Sequence, residues 1–178
     1  LTALARLLVL PALRADEGMW TFDNLPAQKL KASGFEPDQA WLDHLRLASL
    51  RFPGGSGSFV SAEGLVLTNH HVVRGLVLSL STRERDLLKH GFVAADRGQE
   101  LKVPGLELMQ LVEAQDISAR VAAAPGRTEA ERLRARELEA QKAREELRAR
   151  TGLTVEIVPL YQGGETWLYG FKVYRDVR

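Results

Sequence analysis

The stretch at residues 55–73, Gly-Ser-Gly-Ser-Phe-Val-Ser-Ala-Glu-Gly-Leu-Val-Leu-Thr-Asn-His-His-Val-Val, constrains this chain more than any other. Two short apolar runs flank a small-residue turn at Ala62, Glu63 and Gly64, the pattern of a β-hairpin. Phe59 and Val60 start the first strand, after a turn built from Gly55, Ser56, Gly57 and Ser58, and residues 65–68 make the return strand. A pair of histidines follows at once. A histidine just past a buried strand has its backbone fixed by the sheet while its ring faces a cleft, and a general base needs that combination because geometry precedes pKa in proton transfer. On an extended chain, His70 and His71 point to opposite faces, so they do not serve one cleft equally.

The Thr68-x-x-His71 spacing resembles the histidine segment of chymotrypsin-like serine peptidases, which selects His71 as the catalytic base and leaves His70 a structural hydrogen bond. More of the chain joins in. The run Asp16-Glu17-Gly18-Met19-Trp20-Thr21-Phe22-Asp23-Asn24-Leu25-Pro26 comes first, and the histidine segment follows. Ser81-Thr82, Asp86-Leu87 and Gly91-Phe92 come next, then Glu100-Leu101 with Val103-Pro104-Gly105-Leu106, and finally Val173-Tyr174-Arg175-Asp176-Val177-Arg178. In this order they resemble the N-terminal part of the bacterial serine dipeptidyl-peptidases of the dipeptidyl-peptidase 7 and 11 type. The resemblance implies a chymotrypsin-like double β-barrel with a helical domain over the cleft, and release of dipeptides from free peptide N-termini. It also implies peptide substrates, no metal or organic cofactor, and a homodimer as the full enzyme. The triad aspartate, the nucleophilic serine and the residues gripping the substrate amine belong, on this resemblance, beyond residue 178. The family usually has a cysteine where this chain has Val72.

Alternatives stay open at this level. The Deg/HtrA endoproteases share the form of the histidine segment, and Val72-Val73 suits them, but they do not account for the opening run or the Val-Pro-Gly-Leu segment. A non-catalytic module derived from such a barrel is a reading of a different class. Asp116 lies at a separation from His71 that suits a triad aspartate, yet its neighbours Glu113, Ala114 and Gln115 offer nothing apolar to bury it. Ser56 and Ser58 suit turn chemistry better than attack on a carbonyl. A metal site at the histidine pair lacks partners, because His44 and His90 have no ligand-like spacing to it.

Composition narrows the class without deciding it. With 45% hydrophobic and 26% charged residues the chain reads as ordinary globular protein, and a net charge of +1 gives no reason to expect nucleic acid. The absence of cysteine excludes disulfides and thiolate metal sites. Residues 1–15 read as the remainder of a secretory signal peptide, with Arg6, a short apolar run and Ala15 at the cleavage edge, which points to a periplasmic or secreted protein. That run is too short to span a bilayer.

The expected fold is mainly β with helical excursions, part of the double barrel and incomplete in this chain. Residues 16–178 would be the N-terminal part of the peptidase domain. Residues 40–50 pattern as a helix between Asp38 and Pro53, and residues 82–90 as a short helix opened by a Ser81/Glu84 capping box and closed by Gly91. One or two strands are expected within residues 101–112. The strongest helix is 129–150, opened by Thr128 and Glu131 and followed by Gly152, with a thin stripe of Leu133, Ala140 and Leu147 beside Ala130 and Ala143. That stripe reads as one packing edge of a projecting helix, or else as a coiled-coil dimerisation arm. Residues 153–161 and 166–177 form a hairpin, and the aromatics Trp20, Phe22, Trp41, Trp167, Tyr169 and Phe171 are expected to pack the core or the strands. Ending in that alternation, the chain reads as a piece of a longer protein. Its last strand should lack a partner, and the row Trp167, Tyr169, Phe171 and Val173 should face water.

Overall fold

The computed structural model describes residues 20–22 and 24–178. The expected leader at residues 1–15, with residues 16–19 and 23 of the opening run, lies outside the described residues. The chain divides into two units, Leu1–Asp38 and Gln39–Arg178. In the first, α1 (Ala27–Ala32) follows Pro26 and is closed by Gly34 at φ +82°, where Phe35 N–H returns to the Leu30 carbonyl.

The second unit opens with α2 (Gln39–Ala48), which buries none of its residues. The helix ends earlier than Pro53 suggests: Leu50, assigned from the sequence to a helical face, is 3% exposed inside strand β1 (Ser49–Phe52). Pro53 and Gly54, the latter at φ +82°, instead make a two-residue hairpin turn into β2 (Gly55–Phe59), the residue order of a type II turn. Ser56 and Ser58 are therefore strand residues. A second turn through Gly64, at φ +93°, returns the chain as β3 (Val66–Thr68), and α3 (His70–Ser79) starts two residues later.

The short helix that follows, α4 (Leu87–His90), is half the expected length. Ser81 is not its cap, because its hydroxyl donates to the Val77 carbonyl and accepts from Leu87 N–H; Asp86 caps the helix by accepting from Leu88 and Lys89 N–H. Gly91 closes it as expected, at φ +71°. Residues 101–107 stay irregular around Gly105, at φ +75°, so of the one or two strands expected a single one forms, β4 (Leu108–Asp116). Then come α5 (Ser118–Ala122), α6 (Glu129–Thr151), β5 (Thr154–Leu160) and β6 (Glu165–Tyr174). The α6 capping box forms in both directions, and Gly152 ends the helix at φ +70°.

All strands pair antiparallel in the order β3-β2-β1-β4-β6-β5. Two corrections follow. Among the described residues the sheet is open, with β3 and β5 as its edges, and helix holds more residues than strand, so the chain is mixed rather than mainly β. The last strand, β6, also has a partner on each side, β4 along residues 167–174 and β5 along residues 165–171. Of the two edges, β3 carries the large exposed leucines: Leu67 on it and Leu65 just before it are each 66% exposed.

Alternation along β6 separates two faces. Leu168 joins Ile117, Val121, Ala140, Ala143 and Leu147, with Val155 and Ile157 beside them, so the second half of α6 seats on β5 and β6. Tyr174, in phase with Leu168, joins a second cluster of Leu50, Phe52, Leu106 and Leu108, onto which α3 lays Val72, Val73 and Leu76. Both helices therefore cover the same face. Full burial of one such leucine stabilises by roughly 1.5–3 kcal/mol. The stripe of α6 is consumed by the chain's own core, while Leu133 at its free end is 56% exposed. On the opposite face the expected aromatic row is half covered: Phe171 is buried, and Trp167, Tyr169 and Val173 are intermediate. Trp20 and Trp41 are exposed and join neither core cluster.

The two parts of the sheet meet at a narrow seam. The β1–β4 ladder has only two residue pairs, Leu50 with Gln110 and Arg51 with Met109. Side chains reinforce it: Arg46 donates to the Leu111 and Val112 carbonyls beside a bulge in β4, and Tyr174 donates to Gln110, which donates on to the Leu47 carbonyl.

Candidate functional site

The histidine pair sits where β3 turns into α3. Asn69, extended at φ −80° and ψ 146°, is the N-cap residue, and His70 and His71 are the first two residues of the helix. They are thus about 100° apart around a helical turn, not on opposite faces of a strand. Both are exposed, and neither imidazole has a hydrogen-bond partner among the described residues. The preceding strand is less buried than the apolar sequence implies, because β3 has a neighbour on one side only.

The backbone beneath the rings is nonetheless well held. Thr68 Oγ1 donates to the Ser56 carbonyl at 2.8 Å, tying the end of β3 to β2. Val72 N–H closes the first turn on the Asn69 carbonyl at 3.1 Å. One step further, Val72, Val73 and Leu76 bury the opposite edge of α3 in the second core cluster. What results is an exposed imidazole on a fixed backbone, which can take up and return a proton.

The other candidate residues stand apart from it. Asp116 ends β4, exposed, and its carboxylate accepts from Ser118 N–H at 2.8 Å. Hydrogen bonding from Ser118 holds it below the usual carboxylate range. It serves the turn into α5, and no hydrogen bond or ion pair joins it to either histidine. Ser56 contributes its carbonyl to Thr68, and the Ser58 hydroxyl donates to the Phe59 carbonyl at 3.1 Å. No three histidine, aspartate or glutamate side chains converge as metal ligands among the described residues.

Two hollows lie beside the β2–β3 turn, and sequence reading assigned them no role. Phe59 and Tyr174 meet edge-on, ring centres 5.5 Å apart, and line both. One, of about 700 Å³, also takes His44, Leu47 and Glu63; the other, of about 660 Å³, takes Arg97, Glu100 and Asp176. Phe59 and Tyr174 lie 115 residues apart in the sequence, and no local pattern links them.

A family model for peptidase S46 matches residues 15–178. The chain belongs to the peptidase S46 family. It is similar to the S46 relative dipeptidyl-peptidase 7 of Porphyromonas endodontalis, 35% identical over 175 residues, which cover 92% of this chain and 21% of that protein. It is also similar to the Asp/Glu-specific dipeptidyl-peptidase of the same organism, 31% identical over 188 residues, covering 92% of this chain and 25% of that one. The crystal structure of P. endodontalis DPP11 in complex with substrate matches with a TM-score of 0.73 and 28% identity, over 90% of this chain and 26% of that chain. This S46 chain thus spans about a quarter of the length of the curated relatives it matches. Membership of S46 also sets aside the Deg/HtrA alternative.

Proposed function

We propose that the full-length protein carrying this chain is an exported serine dipeptidyl-peptidase, that this sheet is part of its chymotrypsin-like double barrel, and that His71 is the general base of a His-Asp-Ser triad. The observation that carries the reading is the placement of His71: an exposed imidazole at the β3–α3 junction, held by Thr68 and Val72, in a chain of S46 sequence. His71 would take the proton of a serine hydroxyl as it attacks the scissile carbonyl, then give it to the leaving amine, while backbone N–H groups near the serine hold the oxyanion. The serine and aspartate come from the S46 sequence outside this segment. Peptides with a free amino terminus are the substrates, the enzyme acts in the periplasm or outside the cell, and it works as a homodimer.

The test is made in the full-length protein with a chromogenic dipeptidyl substrate. His71→Ala is expected to reduce kcat by about 10⁴ with little change in substrate affinity. His70 is exposed and lacks the structural hydrogen bond expected of it, so His70→Ala should leave activity and stability close to wild type. The reverse pattern would move the base to His70. Full activity in both variants would overturn the histidine assignment, and no activity in the wild type would favour a barrel-derived binding module. The isolated 178-residue chain is expected to release no amine, since it brings an imidazole without its nucleophile.

A further inference from the structure

We infer that Gly55 is a positioning residue for His71, acting through Val72; this rests on the reading of His71 as the base. Gly55 is not among the residues with positive φ, so its backbone conformation does not demand glycine. Space demands it. A Cβ at position 55 would collide with Val72 Cγ2, whereas Val72 Cβ and Cγ1 both lie at 3.6 Å, ordinary contact distance. The first turn of α3 thus rests directly on the β2 backbone.

Val72 has little freedom to move aside. A valine in a helix holds essentially one χ1 rotamer. Its neighbours Val73 and Leu76 are seated in the cluster with Leu50 and Phe52. On the other side, Thr68 is tied to Ser56. An alanine at 55 therefore displaces the short segment between these two anchors, residues 69–72, and His71 is in it. Gly57 is a useful contrast. A Cβ there would meet Phe52 Cε2 at 2.5 Å and the Leu67 carbonyl at 2.7 Å, so its loss strains the β1–β2–β3 pairing itself rather than the helix start.

The experiment is steady-state kinetics and thermal melting of the full-length protein as Gly55→Ala, Val72→Ala, Gly55→Ala/Val72→Ala and His71→Ala. A displacement near 1 Å at a proton-transfer group costs roughly 100-fold in rate, so Gly55→Ala is expected to lower kcat by about that factor with KM within about twofold. Removing the Val72 methyls leaves only the 3.6 Å neighbour, so the double variant should return to within about threefold of the kcat of Val72→Ala. Rescue by shortening the opposing side chain is something a general loss of stability would not produce. The inference is overturned if Gly55→Ala keeps its kcat while His71→Ala loses it, or if the double variant is no better than Gly55→Ala. If His71→Ala itself keeps its kcat, the base reading and this inference fall together. Should Gly55→Ala not fold, the double variant must fold and turn over; if it does neither, the inference is wrong.

Discussion

Arg51 of β1 reaches Glu156 of β5 across two intervening strands. Its guanidinium passes Met109 Sδ on β4 at 2.9 Å, lies 4.3 Å from the centre of the Phe171 ring on β6, and ends in two hydrogen bonds to the Glu156 carboxylate, one at 2.9 Å. One side chain of β1 therefore touches three other strands of the sheet. It also explains why Phe171 is buried on a face that neither core cluster occupies.

Both partners remain substantially solvated, which limits the ion pair to well under about 1 kcal/mol, and the stacking on Phe171 adds a similar amount. Arg51→Ala is expected to destabilise by about 1–1.5 kcal/mol and Glu156→Gln by about half that, read from urea unfolding midpoints. Equal losses would assign the whole effect to charge and none to ring cover.

Acid should loosen the α5–α6 contact. Arg120 donates to Glu139 and Glu146, and these hydrogen bonds hold both carboxylates below the usual range and raise the guanidinium above its own. With folded values depressed, the stabilisation is fully present above the ordinary glutamate value of about 4.3 and is lost as pH falls through the lowered values. Thermal melting between about pH 6 and pH 3 should show the loss, and Arg120→Met should flatten that limb. An unchanged limb in Arg120→Met would show the pairs contribute nothing.

The ends of α6 should be separately sensitive. Thr128 Oγ1 accepts from Glu131 N–H at 3.2 Å and the Glu131 carboxylate accepts from Thr128 N–H at 3.1 Å, so Thr128→Ala is expected to cost about 1 kcal/mol. Gly152→Ala forces a side chain into φ +70° and should cost a comparable amount. Circular dichroism would register fraying at the corresponding end.

Leu168 is 1% exposed, between α6 and the β5–β6 pair. Leu168→Ala is expected to cost about 2–5 kcal/mol by leaving a cavity. Leu133→Ala, on the exposed part of the same helix, should lie within about 0.5 kcal/mol of wild type.

Legibility followed locality. The Gly64 turn, the β5–β6 hairpin, α6 with its caps, and the Gly91 and Gly152 stops could be read from neighbouring residues, because their determinants are turn chemistry and capping; the β1–β2 hairpin could not, since residues 55–58 pattern as a turn and are a strand. Leu50 could not: the α2 pattern carries through it, and only pairing with Gly57 and Gln110 makes it a strand residue. The cap of α4 was misread because the Ser81 hydroxyl is taken by Val77. The partner of β6 was misread because β4 comes from far back in the chain. At the site, spacing singles out His71, whose role as base is a proposal; the close seat of Val72 on Gly55, and the shared wall of Phe59 and Tyr174, exist only once β2, α3 and β6 are assembled.

The two-pair ladder between β1 and β4 has a kinetic consequence. The β1–β2–β3 strands pair with near neighbours, and so do β5 and β6, so each can zip with little loop-closure entropy. Joining them requires β1 to find a strand more than fifty residues downstream for a return of two residue pairs. Amide exchange should therefore resolve two cooperative units, with the histidine's unit opening at lower free energy than the one crossed by α6. The His71 imidazole rides on the unit expected to open first, so exchange at the start of α3 should follow the opening of the β1–β4 seam rather than that of the sheet under α6.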